Sequence, residues 1–428
     1  MPLNPQHSET TRNVRLYPWY AGVFHAHFWM PVFFLYFLKH MDLADVLRLE
    51  AVYYAGVVLL EVPSGYFSDR FGRRLTLLIA NASLLAAYLT FFFGSDFVTF
   101  AFAQVLLAAG LAFNSGTDTS LHFDSLASLG REQEFGDREA VVARNSILAS
   151  GLAGLVGGAA GVLDLRFAYG LSALAAVAGL GIVFAMREPS SHEKRLVVAG
   201  PAAQFKTCGK LLRQPLLAWV FAFYVVMTVL NHVPYEFYQP YIELALAGRL
   251  PMGDGATLAT GIHVAVVMVI AAWFAHRSIR LRDRLGLGGV LLSATALQTV
   301  IILAMGLVLN PLIILLVLAR SVPRALMTAP INAAVAPRVS QGQRATFLSI
   351  QSLAGRLAFS GWLLVLSLIP ASNGDGGWAG MSNKLLVSGA LGIAALLALL
   401  VGWRWARRDT EREPQPTTDL AACSIPRV

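Results

Sequence analysis

The chain is 428 residues long, 56% of them hydrophobic and only 14% charged, with a formal net charge of +8. That balance leaves too little polar surface to cover a water-soluble globule, so the composition indicates a membrane protein. The basic excess falls in alternate connecting segments, which makes it a topology signal and argues against a nucleic-acid partner.

In chain order, apolar stretches of about 20 residues, enough to cross a hydrocarbon core of about 30 Å as a helix, lie near 17–38, 46–67, 75–94, 97–121, 140–163 and 166–186. A second set follows near 215–242, 256–276, 287–309, 311–335, 345–369 and 383–403. No segment alternates apolar and polar residues as a membrane β-barrel would. The opening MPLNPQHSETTRNVR is polar and lacks the apolar core of a signal peptide, so the first span is expected to insert as a helix.

The pattern predicts an all-α polytopic membrane protein of twelve transmembrane helices. Residues 1–16 form an N-terminal tail, 17–186 a first six-helix bundle, 187–214 a linker, 215–405 a second six-helix bundle and 406–428 a C-terminal tail. Lys and Arg favour the cytoplasmic side. They gather at Arg70, Arg73 and Arg74, in the linker at Lys194, Arg195 and Lys206, and at Arg277, Arg280 and Arg282, whereas the opposite loops hold only Lys39, Arg48, Arg166, Arg249 and Lys384. Both termini are therefore expected in the cytoplasm, and the short loops suggest a prokaryotic inner membrane. Cys208 and Cys423 fall on the same reducing side, where no disulfide or paired metal site is expected.

After the second span comes EVPSGYFSDRFGRRL, and a weaker echo, RDRLGLGG, places Asp283 a distance of 214 residues after Asp69 (283 − 69), half the chain. An internal repeat in a membrane chain points to a pseudo-symmetric transporter. GYFSDRFGRR resembles the signature loop of the major facilitator superfamily, with Gly65, Asp69, Arg70, Gly72, Arg73 and Arg74 on its G-x-x-x-D-R-x-G-R-R pattern. Asp283, Arg284 and Gly286 form the echo. The resemblance implies two six-helix bundles alternating in access, a cavity lined by spans one, four, seven and ten, and a gating role for Asp69. A plain topology anchor is the competing reading of that Asp. Gly72 suits a tight turn with positive φ, and the arginines are expected in water or at lipid headgroups.

SILASGLAGLVGGAAGVL, with Ala149, Ala153, Gly154, Gly157 and Gly158, is similar to the glycine-rich antiporter motif of drug exporters in that superfamily. Gly154 stands where the motif has Pro, so close packing of small residues explains the segment nearly as well. SGTDTSLHFDSLASLGREQEF and RATFLSIQSLAGRL resemble a bacterial, efflux-like subgroup. Leu106 occupies the place where such exporters often carry an arginine.

Ionisable groups inside a membrane are costly and mark sites. By that rule the candidate substrate-cavity residues are His25 and His27, then Asn114, Asp118 and His122, then Glu236, then Arg320 and Arg324. The i, i+4, i+8 spacing puts Asn114, Asp118 and His122 on one helix face, and i, i+4 does the same for Arg320 and Arg324. His25 and His27, two apart, cannot share a face. Arginines near mid-membrane suit an anionic or carboxylate-bearing substrate, with an internal Arg–Asp pair as the alternative. Glu61, beside Pro63, and Asp118 are candidates for proton coupling, while Asp124 and Arg356 are expected to form structural pairs.

No nucleotide-binding loop, metalloprotease motif or nucleophile elbow occurs, and the loops are too short for a catalytic domain, so no enzyme activity, cofactor or metal is expected. The sequence thus predicts a monomeric secondary transporter in a lipid bilayer with a small-molecule substrate and protons as partners. Proton-coupled export of a small amphipathic or anionic compound is the leading mode. Proton-coupled uptake of a metabolite and a non-transporting receptor or assembly protein on the same fold are the alternatives.

Overall fold

The computed structural model describes residues 5–189, 208–247, 255–335, 337–339, 341–370 and 377–410. Most of the linker, with Lys194, Arg195 and Lys206, together with Arg249, Cys423 and the end of the C-terminal tail, lies outside the described residues. Nine candidate membrane spans occur among them, and one of 52 residues, Ala256–Leu307, is two spans merged.

The first bundle consists of α1 (Pro5–Phe24) and α2 (Phe33–Leu38), α3 (Leu43–Phe71), α4 (Arg73–Phe93), α5 (Phe97–Asn114) and α6 (Thr117–Ala127), α7 (Phe135–Leu163) and α8 (Leu165–Ala185). The second consists of α9 (Pro215–Leu246), α10 (Gly255–Leu307), α11 (Pro311–Val317) and α12 (Val322–Val335), α13 (Gln341–Ser367) and α14 (Trp378–Thr410). Three spans, the first, fourth and tenth, are broken into pairs of helices. Gly116 breaks the fourth at φ 72°, a left-handed value that suits glycine. In the tenth, Pro323 lacks the N–H that would continue the ladder across Leu318–Ser321. The bundles meet where α3 packs on α13, α7 on α10, and α2 on α9.

Helix α1 starts at Pro5, well before the expected first span, because its polar end is packed. Asn13 is 1% exposed, and its side chain donates to Ser125 Oγ at 3.1 Å and to the Arg187 carbonyl at 2.7 Å. Lys384 is not a loop residue either. It sits buried in α14 and donates to the Leu366 and Ile369 carbonyls at the end of α13, at 3.0 and 2.7 Å.

Gly72, at φ 103°, joins α3 to α4, and a Cβ there would meet the Glu188 carboxylate at 2.9 to 3.1 Å. That carboxylate accepts from the Arg73 and Arg74 backbone N–H groups at 2.7 and 2.8 Å, satisfying donors that the first turn of α4 cannot satisfy itself. Arg73 is not in water, as the sequence suggested, but 3% exposed. It pairs with Asp69 at 2.9 Å, donates to Ser68 Oγ at 2.7 Å and lies 3.6 Å from Asp124. Arg70 is exposed, and Gly65 has open space where a Cβ would stand. The echo is looser: Gly286 has φ 74°, Asp283 pairs with its neighbour Arg282 at 2.7 Å, and Arg284 is exposed. These two turns mark the near end of the molecule, and the opposite end is the far end.

Candidate substrate cavity

Between the bundles lies a cavity of about 640 Å³, within the range of small-molecule sites. Its far end is roofed by Trp29, Met30, Phe33 and Tyr235. Toward the near end Ser115, Arg324, Thr328 and Asn332 line it and are exposed, so the cavity opens on that side.

The roof is held by direct contact of the two halves. Gln239 on α9 accepts from the Phe34 and Leu35 N–H groups at 3.0 and 3.4 Å, and donates to the Met30 carbonyl at 2.9 Å and to Tyr238 Oη at 3.1 Å. The amide thereby satisfies the open first turn of α2 from across the seam. Beside it, Gly157 packs its Cα against the Phe28 carbonyl, and a Cβ on Gly158 would stand 2.7 Å from the Thr257 carbonyl and 3.1 Å from Gly261. Thr260 Oγ1 donates to the Pro31 carbonyl at 2.8 Å.

The second bundle's wall carries Arg320 and Arg324. Arg320 lies in the break between α11 and α12, 5% exposed, with its guanidinium 4.3 Å from the Tyr238 ring centroid and 5.5 Å from that of Tyr235. Such placement favours a cation over aromatic faces. Its Nε is buried without a hydrogen-bond partner, and among the described residues neither Arg320 nor Arg324 has an ion pair. Arg356, also in the lining, donates to Glu61 Oε2 at 2.8 Å and so links α13 to α3.

The first bundle's wall carries Glu50 and Gln104. Gln104 Nε2 donates to Glu50 Oε1 at 3.0 Å, and one turn along α3 Tyr54 Oη donates across the seam to Glu236 Oε1 at 3.1 Å. Glu50 is 4% exposed and Glu236 wholly buried, while Glu236 Oε2 and Gln104 Oε1 have no hydrogen-bond partner. Glu50 and Arg320 both lie within electrostatic reach of Glu236.

The remaining expected residues sit elsewhere. His25 and His27 follow the end of α1, so the face argument does not apply to them. Their rings are 6.2 Å apart, and neither lines the cavity. Asn114, Asp118 and His122 are not on one face, because Gly116 reorients the helix between the first and the others. Asn114 Oδ1 accepts from Tyr20 Oη at 2.6 Å, and Asp118 accepts from the Thr119 N–H at 2.7 Å. His122 meets Glu139 at 2.6 Å and stacks on Tyr17 at 4.2 Å. All three belong to the interior of the first bundle rather than to a wall facing Arg320. Glu50, Gln104 and Gln239 were missed from sequence. Glu50 obeys the same cost rule as Glu61, but beside Asp45 and Arg48 it reads as the polar start of a span.

The Major Facilitator Superfamily model matches residues 27–362. Among solved structures, the nucleoside transporter NupG superposes with a TM-score of 0.75 at 10% identity, covering 92% of this chain and 99% of that one. A bacterial homolog of the human lysosomal transporter Spinster, inward-facing and unoccupied, gives 0.70 at 13% identity, covering 96% and 100%. The peptide transporter POT in complex with sulfate gives 0.67 at 14%, covering 94% of each chain. No curated protein matches the sequence. At these identities the structural likeness concerns the fold alone, and it agrees with the family match over most of the sequence: the chain belongs to the major facilitator superfamily.

Proposed function

We propose that the protein is a proton-coupled secondary transporter that works by alternating access around this cavity. In this reading it exports a small amphipathic or anionic compound by antiport across a prokaryotic inner membrane, with the near end and both termini in the cytoplasm. The observation that carries the coupling is the pair Glu50 and Glu236, one carboxylate from each bundle. Both are buried, and among the described residues neither has an ion pair. Two carboxylates in so dry a place need positive charge brought to them, and a proton supplies it without needing a void. Rocking of the bundles would part Tyr54 from Glu236 and change the surroundings of both acids, which ties proton occupancy to access.

This assigns coupling to Glu50 and Glu236 rather than to Glu61, which Arg356 engages, or to Asp118, whose partners lie inside the first bundle. Export is supported by the Gly154–Gly158 segment, which resembles the antiporter motif and closes the far end on α10.

Proteoliposomes with an imposed pH gradient test the reading. Glu236→Gln and Glu50→Gln are each expected to abolish gradient-driven accumulation while leaving substrate exchange at zero gradient. Undiminished accumulation in both variants would remove the pair from coupling. Protons moving against the substrate establish antiport, and protons moving with it establish uptake by symport.

A further inference from the structure

We infer that the substrate is an aromatic carboxylate, its anionic group held by Arg320 and Arg324 and its ring lodged among the aromatic side chains of the roof. The inference deepens the transporter reading and rests on it only in taking the cavity as the substrate site. Three observations carry it. Arg320 is a nearly buried cation without a countercharge at ion-pair distance, and its Nε is an unpartnered donor in the cavity wall. Arg324 is a second unpaired cation, one turn on and exposed to the same space, whereas the third arginine of the lining is already taken by Glu61. A planar carboxylate matches the donor fork of a guanidinium, and two such groups oriented toward one volume favour an anion over a neutral ligand.

The second half of the site is aromatic. Phe33 and Tyr235, one from each bundle, stack at 5.8 Å with an interplanar angle of 26°, and Trp29, Tyr53 and Tyr54 continue the surface beside them. A ring would extend that stack across the seam. On the opposite wall the Gln104 Oε1 acceptor lacks a partner, so a hydroxyl or amine on the far side of the ring would find one there. A multiply charged anion fits less well, because Glu50 and Glu236 stand in the same region.

The test is calorimetric titration of the full chain, in detergent at neutral pH, with 2-naphthoate and with 2-naphthylmethanol, which keeps the ring and removes the charge. The wild type is expected to bind the acid at least about tenfold more tightly than the alcohol, the usual scale for a charge-assisted pair. Arg320→Gln should remove that preference by weakening the acid about tenfold while leaving the alcohol within about twofold, and Arg320→Lys should restore part of it. Arg324→Gln, at an exposed position, should weaken the acid alone. Equal affinity for the two probes, no binding of either, or arginine variants that weaken both alike would overturn the inference. Selective binding of the acid without gradient-driven movement would keep the site and sink the transporter reading. Gradient-driven movement of other compounds without preference for the acid would do the reverse.

Discussion

The seam between the two bundles is built differently at its two ends. At the far end it is dry and neutral: Gln239 has every polar atom satisfied across the seam, and Gly157, Gly158 and Gly261 bring backbone against backbone. Toward the near end the cross-bundle polar link is the ion pair of Glu61 and Arg356, whose side chains are 20% and 33% exposed beside an open cavity. Close packing forfeits its dispersion contacts when the seam parts, and each buried neutral hydrogen bond contributes about 0.5–1.5 kcal/mol net. A part-exposed ion pair gives little, because water solvates both charges when they part. The closed far end therefore holds this conformation, and a change of access must undo that contact while the near end closes.

The largest effect should come from the glycines. In Gly158→Leu the new Cβ alone would stand 2.7 Å from the Thr257 carbonyl, a backbone atom that cannot move aside without moving α10. Overpacking of this kind costs about 1–3 kcal/mol, enough to shift an access equilibrium by about fivefold to 150-fold. Spin-label distances across the far end should lengthen, and transport should fall. An unchanged distance distribution would show that the seam does not depend on the contact. Gln239→Leu comes next: it leaves the Phe34 and Leu35 N–H groups without their acceptor and the Met30 carbonyl with only the 3.3 Å bond from Tyr238 Oη, at about 1–3 kcal/mol. It should open the same end less completely, so a distance change larger than that of Gly158→Leu would reverse the ranking.

How much of this was legible in sequence follows from what each argument assumed. Apolar run length and the repeated turn depend only on local composition, so the spans and the Gly72 and Gly286 turns could be read directly. Face assignments assumed unbroken helices, and they failed at Gly116, whose positive φ separates Asn114 from Asp118 and His122, and after Phe24, where α1 ends before His25. Arg320 and Arg324 were visible because a cation in the middle of an apolar run is costly and marks itself in the sequence, although substrate binding and an internal ion pair read alike there. Glu50 and Gln239 were not, since one sits among loop-like charges and the other is an uncharged amide whose meaning depends on a partner 205 residues away. The burial of Arg73 could not be read either, because it depends on how α4 packs on α6, although Asp69 is only four residues away and Asp124 was already expected to form a pair.

Two smaller effects sharpen the contrast between the ends. Glu61→Gln, Arg356→Gln and the double variant form a cycle whose coupling should be no more than about 1 kcal/mol, given the exposure of both side chains. The near-end link should therefore tune the rate of alternation without abolishing transport, and a coupling several times larger would make it a true latch.

Asp96 gives the smallest effect and serves as the control, because it lies at the far end but off the seam, capping α5. Its carboxylate accepts from the Thr99 N–H at 3.0 Å and the Thr99 hydroxyl at 2.6 Å, and these hydrogen bonds hold its pKa below the ordinary aspartate value. A depressed folded-state value means that the cap's contribution is complete above the unfolded aspartate pKa and is lost as pH falls through the folded one. Thermal melts of wild type and Asp96→Ala should therefore differ slightly at neutral pH and converge in acid, with far-end spin-label distances unchanged. If Asp96→Ala lengthened those distances as Gly158→Leu is expected to, the far end would be responding to any local loosening, and the seam contacts would lose their special place.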